Sequence, residues 1–164
     1  MAGIAVNYAE ILHIGQATLA GYGIYVSWIS ITNLRQYEEK SEKAAKWSNE
    51  AARQLHTTRT TQAAGMVAAV LNLGASLFLA TSWHLIPRKY RILASPAMLL
   101  VTLLARGYMY NFWTEKAKVP MVDGYNEAID KTKYLIVTLQ YLEYSWVLTS
   151  LVAGVLGYRR NDWS

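Results

Sequence analysis

The stretch Ile92-Leu-Ala-Ser-Pro-Ala-Met-Leu-Leu-Val-Thr-Leu-Leu-Ala-Arg-Gly-Tyr-Met-Tyr-Asn-Phe-Trp113 decides how this chain is read. It is apolar over enough residues to cross a bilayer at the helical rise of about 1.5 Å per residue. It also carries Arg106 well inside the apolar run. A guanidinium at that depth is costly unless it meets a partner elsewhere in the chain.

Three further apolar segments flank it, at about residues 11–32, 61–83 and 134–157. The expected fold is all-α and polytopic: one domain over residues 1–164 with four transmembrane helices. An extramembrane amphipathic helix is expected over residues 36–58, between the first and second spans. That polar stretch places Glu39 before Lys43 and Glu42 before Lys46, both i,i+4 pairs in the favourable order. Tyr37, Ala44, Trp47, Ala51 and Leu55 fall on one stripe of it. The alternative reading is a solvated extension of the first span. Ser95-Pro96 reads as an N-cap followed by the first helical position of the third span. Residues 114–131, with Pro120 and Asp123-Gly124, read as a connection.

Composition agrees with a membrane protein. Hydrophobic residues make up 53% of the 164 positions and charged residues 16%, and the charges gather in the connections. The net charge of +5 would hint at nucleic acid in a soluble protein. Here the basic residues flank apolar spans, so lipid headgroups are the expected counterions and nucleic acid is not an expected partner. Arg88, Lys89, Arg91, Arg159 and Arg160 are the candidate headgroup contacts. With no cysteine in the chain, disulfides, thiolate metal sites and cysteine nucleophiles are excluded. The N-terminus has no basic residue before the first apolar run, so insertion is expected to use uncleaved internal spans. Ten of the lysines and arginines lie in the two longer connections and five on the terminal side, which places the longer loops on the cytoplasmic or matrix face.

Small residues at Ala17-xxx-Gly21 and Gly23-xxx-Ser27 would let a neighbouring helix approach the first span closely. Counting helical rise from the same membrane face puts Arg106 about 10 Å deep, Glu143 about 14 Å and Asn72 about 16 Å. Tyr22 and Tyr25 come to that level on the first span, with Tyr110 one turn from Arg106. The expected site is an intramembrane polar layer of Arg106, Glu143, Asn72, Tyr22, Tyr25 and Tyr110. It serves either as a register-fixing ion pair or as a polar pocket. Glu10 and His13, at i,i+3, are expected to form a solvated pair at the interface. His13, His56 and His84 are too scattered for a metal site, and no nucleophile elbow, Walker loop or dinucleotide fingerprint is present. No cofactor is expected.

In length, charge and four uncleaved spans, the chain resembles the fungal-type four-helix accessory subunits of mitochondrial respiratory complex I. The resemblance covers the whole chain. It implies a non-catalytic accessory or assembly subunit of the proton-pumping NADH:ubiquinone oxidoreductase, surrounded by other membrane subunits and lipid in the mitochondrial inner membrane. The endoplasmic reticulum is the alternative location. The turn Trp83-His-Leu-Ile-Pro-Arg-Lys-Tyr-Arg91, and Trp146 followed by Ala153-Gly-Val-Leu-Gly157, are similar to the small four-span anthrone-oxygenase-like proteins of fungi. Where that family has a Thr/Asn-bearing third span and a Trp…Asn…Arg fourth, this chain has Arg106 and Glu143. An alternative function is thus a small integral-membrane enzyme for a lipophilic substrate, with Arg106, Glu143 and Tyr110 around a pocket. A channel or carrier would require an oligomer, because four helices enclose little pore.

Overall fold

The computed structural model describes residues 2–46, 48–82, 88–116 and 123–159. Within those helices, the side chains of residues 2–9, 36–41, 43–45 and 153–159, and of Ser82, Arg88, Lys89, Arg91 and Asp123, lie outside the description. The chain forms four α-helices: α1 (Ala2–Ala45), α2 (Asn49–Ser82), α3 (Arg88–Trp113) and α4 (Asp123–Arg159). Successive helices pack side by side, and α4 closes the ring against α1. Of the diagonal pairs, α2 and α4 touch, whereas α1 and α3 do not meet among the described residues.

Three helices contain segments long and apolar enough to cross a membrane, within Asn49–Thr81, Ile92–Trp113 and Gly124–Val152. The fold is therefore that of a helical, membrane-type protein. Ile92–Trp113 has the bounds expected from the sequence. Large apolar and aromatic side chains such as Trp28, Val70, Phe78, Leu104, Tyr141 and Leu151 stand exposed around the bundle, as a lipid-facing surface requires.

α4 is the organising helix. Its buried positions Ala128, Thr132, Leu135, Leu139, Leu142, Trp146 and Thr149 alternate steps of four and three, a seven-residue period that keeps one seam on its neighbours. α1 meets that seam with a face of small residues, Ala17, Ala20, Gly23, Ser27 and Ser30. A β-carbon on Gly23 would lie 3.4 Å from Leu135 and 3.5 Å from Ala69, so the glycine sits at van der Waals contact with α4 and α2. Gly23-xxx-Ser27 is thus the packing motif expected of it; a β-carbon on Gly21 would meet nothing. On α2, Gly65 is the tighter point: its β-carbon would come within 2.8 Å of Leu135 Cδ2 and 2.9 Å of Met109 Cε. α3 is the peripheral member, burying Ser95, Thr102 and Met109, one residue every two turns, before Trp113.

Three boundaries differ from expectation. Residues 36–58 do not form a helix of their own: α1 runs on through Ala45 and α2 starts at Asn49. The polar stretch is therefore a helical hairpin continuing two long helices, as in the alternative reading. Ser48 makes the break, its hydroxyl accepting from Ala51 N at 3.3 Å as an N-cap does. Glu42 reaches across the hairpin to Arg59 at 2.6 Å. The stripe through Tyr37, Ala44 and Trp47 lies outside the described side chains. α3 begins at Arg88, so Pro96 is inside the helix rather than at its start. The tertiary packing of Ser95, whose Oγ accepts from Thr149 at 3.2 Å, holds that turn in place of the missing N–H. Finally, Asp123-Gly124 opens α4 instead of forming a turn, because an acid is favourable at a helix N-terminus.

Candidate functional site

The expected ion pair is present. Arg106 Nε on α3 donates to Glu143 Oε1 on α4 at 2.6 Å, and the two side chains keep 26% and 6% of their surface exposed. The antiparallel register that buries the Leu139–Trp146 seam brings Glu143 level with Arg106, as the depth count requires. The carboxylate is the buried partner and the guanidinium lies at its outer edge.

Asn72 does not complete this pair. It lies one turn closer to the terminal face and forms its own cluster. Its Oδ1 accepts from Trp146 Nε1 at 2.6 Å, and its Nδ2 donates to Thr102 Oγ1 at 3.0 Å and to the Ala68 carbonyl at 2.7 Å. Thr102 in turn donates to the Met98 carbonyl. Both amide hydrogens and the amide oxygen are thereby used, and the residue is wholly buried. The polar level tying α2, α3 and α4 together is Asn72–Thr102–Trp146. The sequence signal was available: Thr102 precedes Arg106 by four residues and Trp146 follows Glu143 by three, so each lies one turn from a charged partner on the same face.

Tyr22 and Tyr25 are outside the layer, at 48% and 59% exposure. Small residues set the rotation of α1: with Ala17, Ala20, Gly23, Ser27 and Ser30 turned inward, positions 22 and 25 fall on the opposite side. Tyr110 is likewise on the surface, though within electrostatic reach of Arg106.

The Glu10–His13 expectation fails on solvation. His13 is only 2% exposed; its Nδ1 is 2.7 Å from Gln16 Oε1, and its ring packs against Trp146 with centroids 5.9 Å apart. Gln16 Nε2 continues to Ser145 Oγ at 3.1 Å. A helix that extends past the apolar run on the N-terminal side carries His13 into the bundle, where α4 covers it. This α1–α4 bridge is a polar contact that sequence reasoning missed.

A second polar level lies toward the connections. Gln62 Nε2 donates to Thr132 Oγ1 at 2.6 Å, Ser30 joins Thr132 at 2.8 Å, and Trp113 Nε1 donates to Thr61 Oγ1 at 2.9 Å. Beyond it, Asn33 Nδ2 meets Glu127 at 3.0 Å. Lys116 Nζ contacts Gln54 Oε1 at 2.5 Å and the Phe112 ring, and burial pushes its ammonium below the usual lysine range. Glu50 on the hairpin is held below the usual carboxylate range by its hydrogen bonds from Arg53 and Gln54.

Of the candidate headgroup contacts, Arg88, Lys89, Arg91 and Arg159 lie on helix ends with side chains outside the described set, and Arg160 lies outside the described residues altogether. Among the described residues, no three histidines, cysteines or carboxylates lie close enough together to hold a metal ion.

The fold and its polar levels define a class: a four-helix bundle with a lipid-facing apolar surface and buried interhelical hydrogen-bond clusters. Comparison with protein-family models, with curated proteins and with solved structures finds no match to the chain.

Proposed function

We propose that this chain is a non-catalytic accessory or assembly subunit of a larger membrane complex, inserted through all four helices. The proton-pumping NADH:ubiquinone oxidoreductase of the mitochondrial inner membrane is the complex that its length, charge and span number suggest. The observation that carries the reading is how the core spends its polar groups. Glu143 pairs with Arg106, Asn72 is saturated by Trp146, Thr102 and Ala68, and Gln16 links His13 to Ser145. Polar side chains committed to one another fix helix register, and none of these clusters pairs an activated nucleophile with a free base.

α1 is the fourth span in this reading. Its small-residue face packs against α2 and α4, both apolar enough to cross, while Ile11, Ile14, Tyr22, Tyr25 and Trp28 are exposed on its other side. A segment between two spanning helices with an apolar outer face is matched to lipid or to neighbouring subunits.

The test is native electrophoresis after mild detergent extraction from the source membrane, with mass spectrometry of the band. Co-migration with a respiratory complex at fixed stoichiometry is expected. Migration as a free chain or small homo-oligomer would overturn the proposal.

A further inference from the structure

The guanidinium of Arg106 is only partly used. Its Nε donates to Glu143, but neither terminal nitrogen makes a hydrogen bond to any described residue. That leaves four N–H donors without an acceptor among the described residues. Because Glu143 is buried and Arg106 retains 26% exposure, the unused edge opens on the outer side of the α3–α4 seam. Tyr110, one turn further along α3, and Tyr144 on α4 both lie within electrostatic reach of it. The Tyr144 hydroxyl accepts from Gln140 Nε2 at 2.8 Å, so its own O–H remains available to donate. Leu103 and Leu104 on α3, and Tyr141 and Val147 on α4, are exposed large side chains within a turn of Arg106 and Glu143 in sequence.

In water such donors would need nothing. On a spanning helix, about 10 Å from Trp113 at the helical rise, each unsatisfied donor is costly. The occupant must therefore bring acceptor oxygens and arrive from the lipid phase. Its negative charge is favoured because the carboxylate balancing Arg106 lies on the inner side of the pair. Arg106 keeps 26% of its side-chain surface, and Tyr110 and Tyr144, within electrostatic reach of it, are 50% and 58% exposed, so all three can meet a head group at the surface of α3 and α4.

We propose that the α3–α4 seam at Arg106 binds the oxyanion head of a lipid-phase amphiphile, a phospholipid phosphate or a fatty-acid carboxylate. The Arg106 terminal nitrogens and the Tyr110 and Tyr144 hydroxyls are its donors. A planar guanidinium fork suits either head, since both offer paired oxygens. The proposal rests on α3 and α4 spanning a membrane and not on the subunit assignment, so it is tested on the isolated chain.

The full-length chain, purified in a neutral detergent, is titrated with oleate, dioleoyl phosphatidic acid, dioleoylglycerol and inorganic phosphate, and bound species are counted by native mass spectrometry. One acidic amphiphile per chain is expected, with neither dioleoylglycerol nor inorganic phosphate retained. Selective retention of oleate assigns a carboxylate site and of phosphatidic acid a phosphate site. Y110F and Y144F, both surface changes, should weaken binding by up to about tenfold each at an unchanged thermal midpoint. R106Q/E143Q, which keeps an uncharged hydrogen-bonded pair, should abolish it. Equal retention of dioleoylglycerol and phosphatidic acid, no retention of either acidic amphiphile, or undiminished binding by the double tyrosine variant would overturn the proposal. In the last two cases a partner-protein acceptor becomes the better account of the open edge.

Discussion

Replacing Arg106 by leucine removes the cation but leaves Glu143 in place, 6% exposed, with its hydrogen bond from Arg106 Nε gone. Breaking a buried pair on one side costs about 3–5 kcal/mol, because the remaining charge has neither water nor partner. The Arg106 side chain is a quarter exposed, so relaxation at the seam places the expected loss at the lower end, about 3 kcal/mol. In Arg106→Leu with Glu143→Leu the stranded group is absent, and two apolar side chains meet in an apolar bundle. That double variant should lie within about 1 kcal/mol of the parent chain. The assay is reversible unfolding in mixed micelles by increasing dodecyl sulfate fraction, followed by far-ultraviolet circular dichroism. All four corners of the cycle are measured at one pH. If the double leucine variant loses the sum of the two single-variant losses, the residues are not coupled and the register-fixing role of the pair is wrong.

The two packed glycines should separate by sign: Gly65→Ala drives a β-carbon into Leu135 and Met109 and should cost about 1–3 kcal/mol, whereas Gly23→Ala meets only ordinary contacts and should be neutral or slightly stabilising, read as thermal midpoints in detergent. Asn72→Leu strands the Trp146 indole N–H and should cost about 1–3 kcal/mol with an altered Trp146 indole resonance, while Ser27→Ala and Ser76→Ala, which remove buried hydroxyls lacking a partner, should cost nothing by the same unfolding assay. The Glu50 carboxyl is held down first by Arg53 and then by Gln54, so its contribution is complete above its ordinary value of 4.5 and is lost as pH falls through the lower value of the folded state; protection of the 49–55 amides, taken relative to their intrinsic exchange rates, should fall in acid, and Arg53→Gln should weaken that pH dependence.

What could be read from the sequence, and what could not, follows from how much information an apolar helix carries. The bounds of Ile92–Trp113 were legible because length and composition alone set them. The Arg106–Glu143 pair was legible because helical rise converts residue spacing into depth, and two opposite charges at one depth have few other solutions. Rotation about the helix axis was not legible. α1 is apolar nearly all round, so no hydrophobic stripe distinguishes the Tyr22 side from the Ala20 side. The inward face was instead marked by side-chain size, and Tyr22 and Tyr25 are too large for the gap that Gly23 fills. Asn72 was given the wrong partners because a depth counted by helical rise did not resolve the single turn that separates its level, shared with Thr102 and Trp146, from that of Arg106 and Glu143. His13 was read as solvated from its nearness to the end of the apolar run, whereas α1 continues beyond that end and α4 covers it. The hairpin shows the opposite limit. Residues 36–58 are helix-forming throughout, and only the cap at Ser48 marks where one helix stops and the next begins.

The continuity of α1 and α2 through that polar hairpin also constrains how the sequence can vary in length. A flexible connection absorbs an added or lost residue at its own site. Here one residue inserted within the packed part of α1 would turn everything beyond it by about 100°, carrying Ser30 away from Thr132 and Asn33 away from Glu127. The break between Ala45 and Asn49 is where a change of length does not shift that phase. Natural variants of this chain should therefore gain or lose residues at that break. Within the helical arms, a pair of whole turns is the smallest change that returns the same faces to their partners.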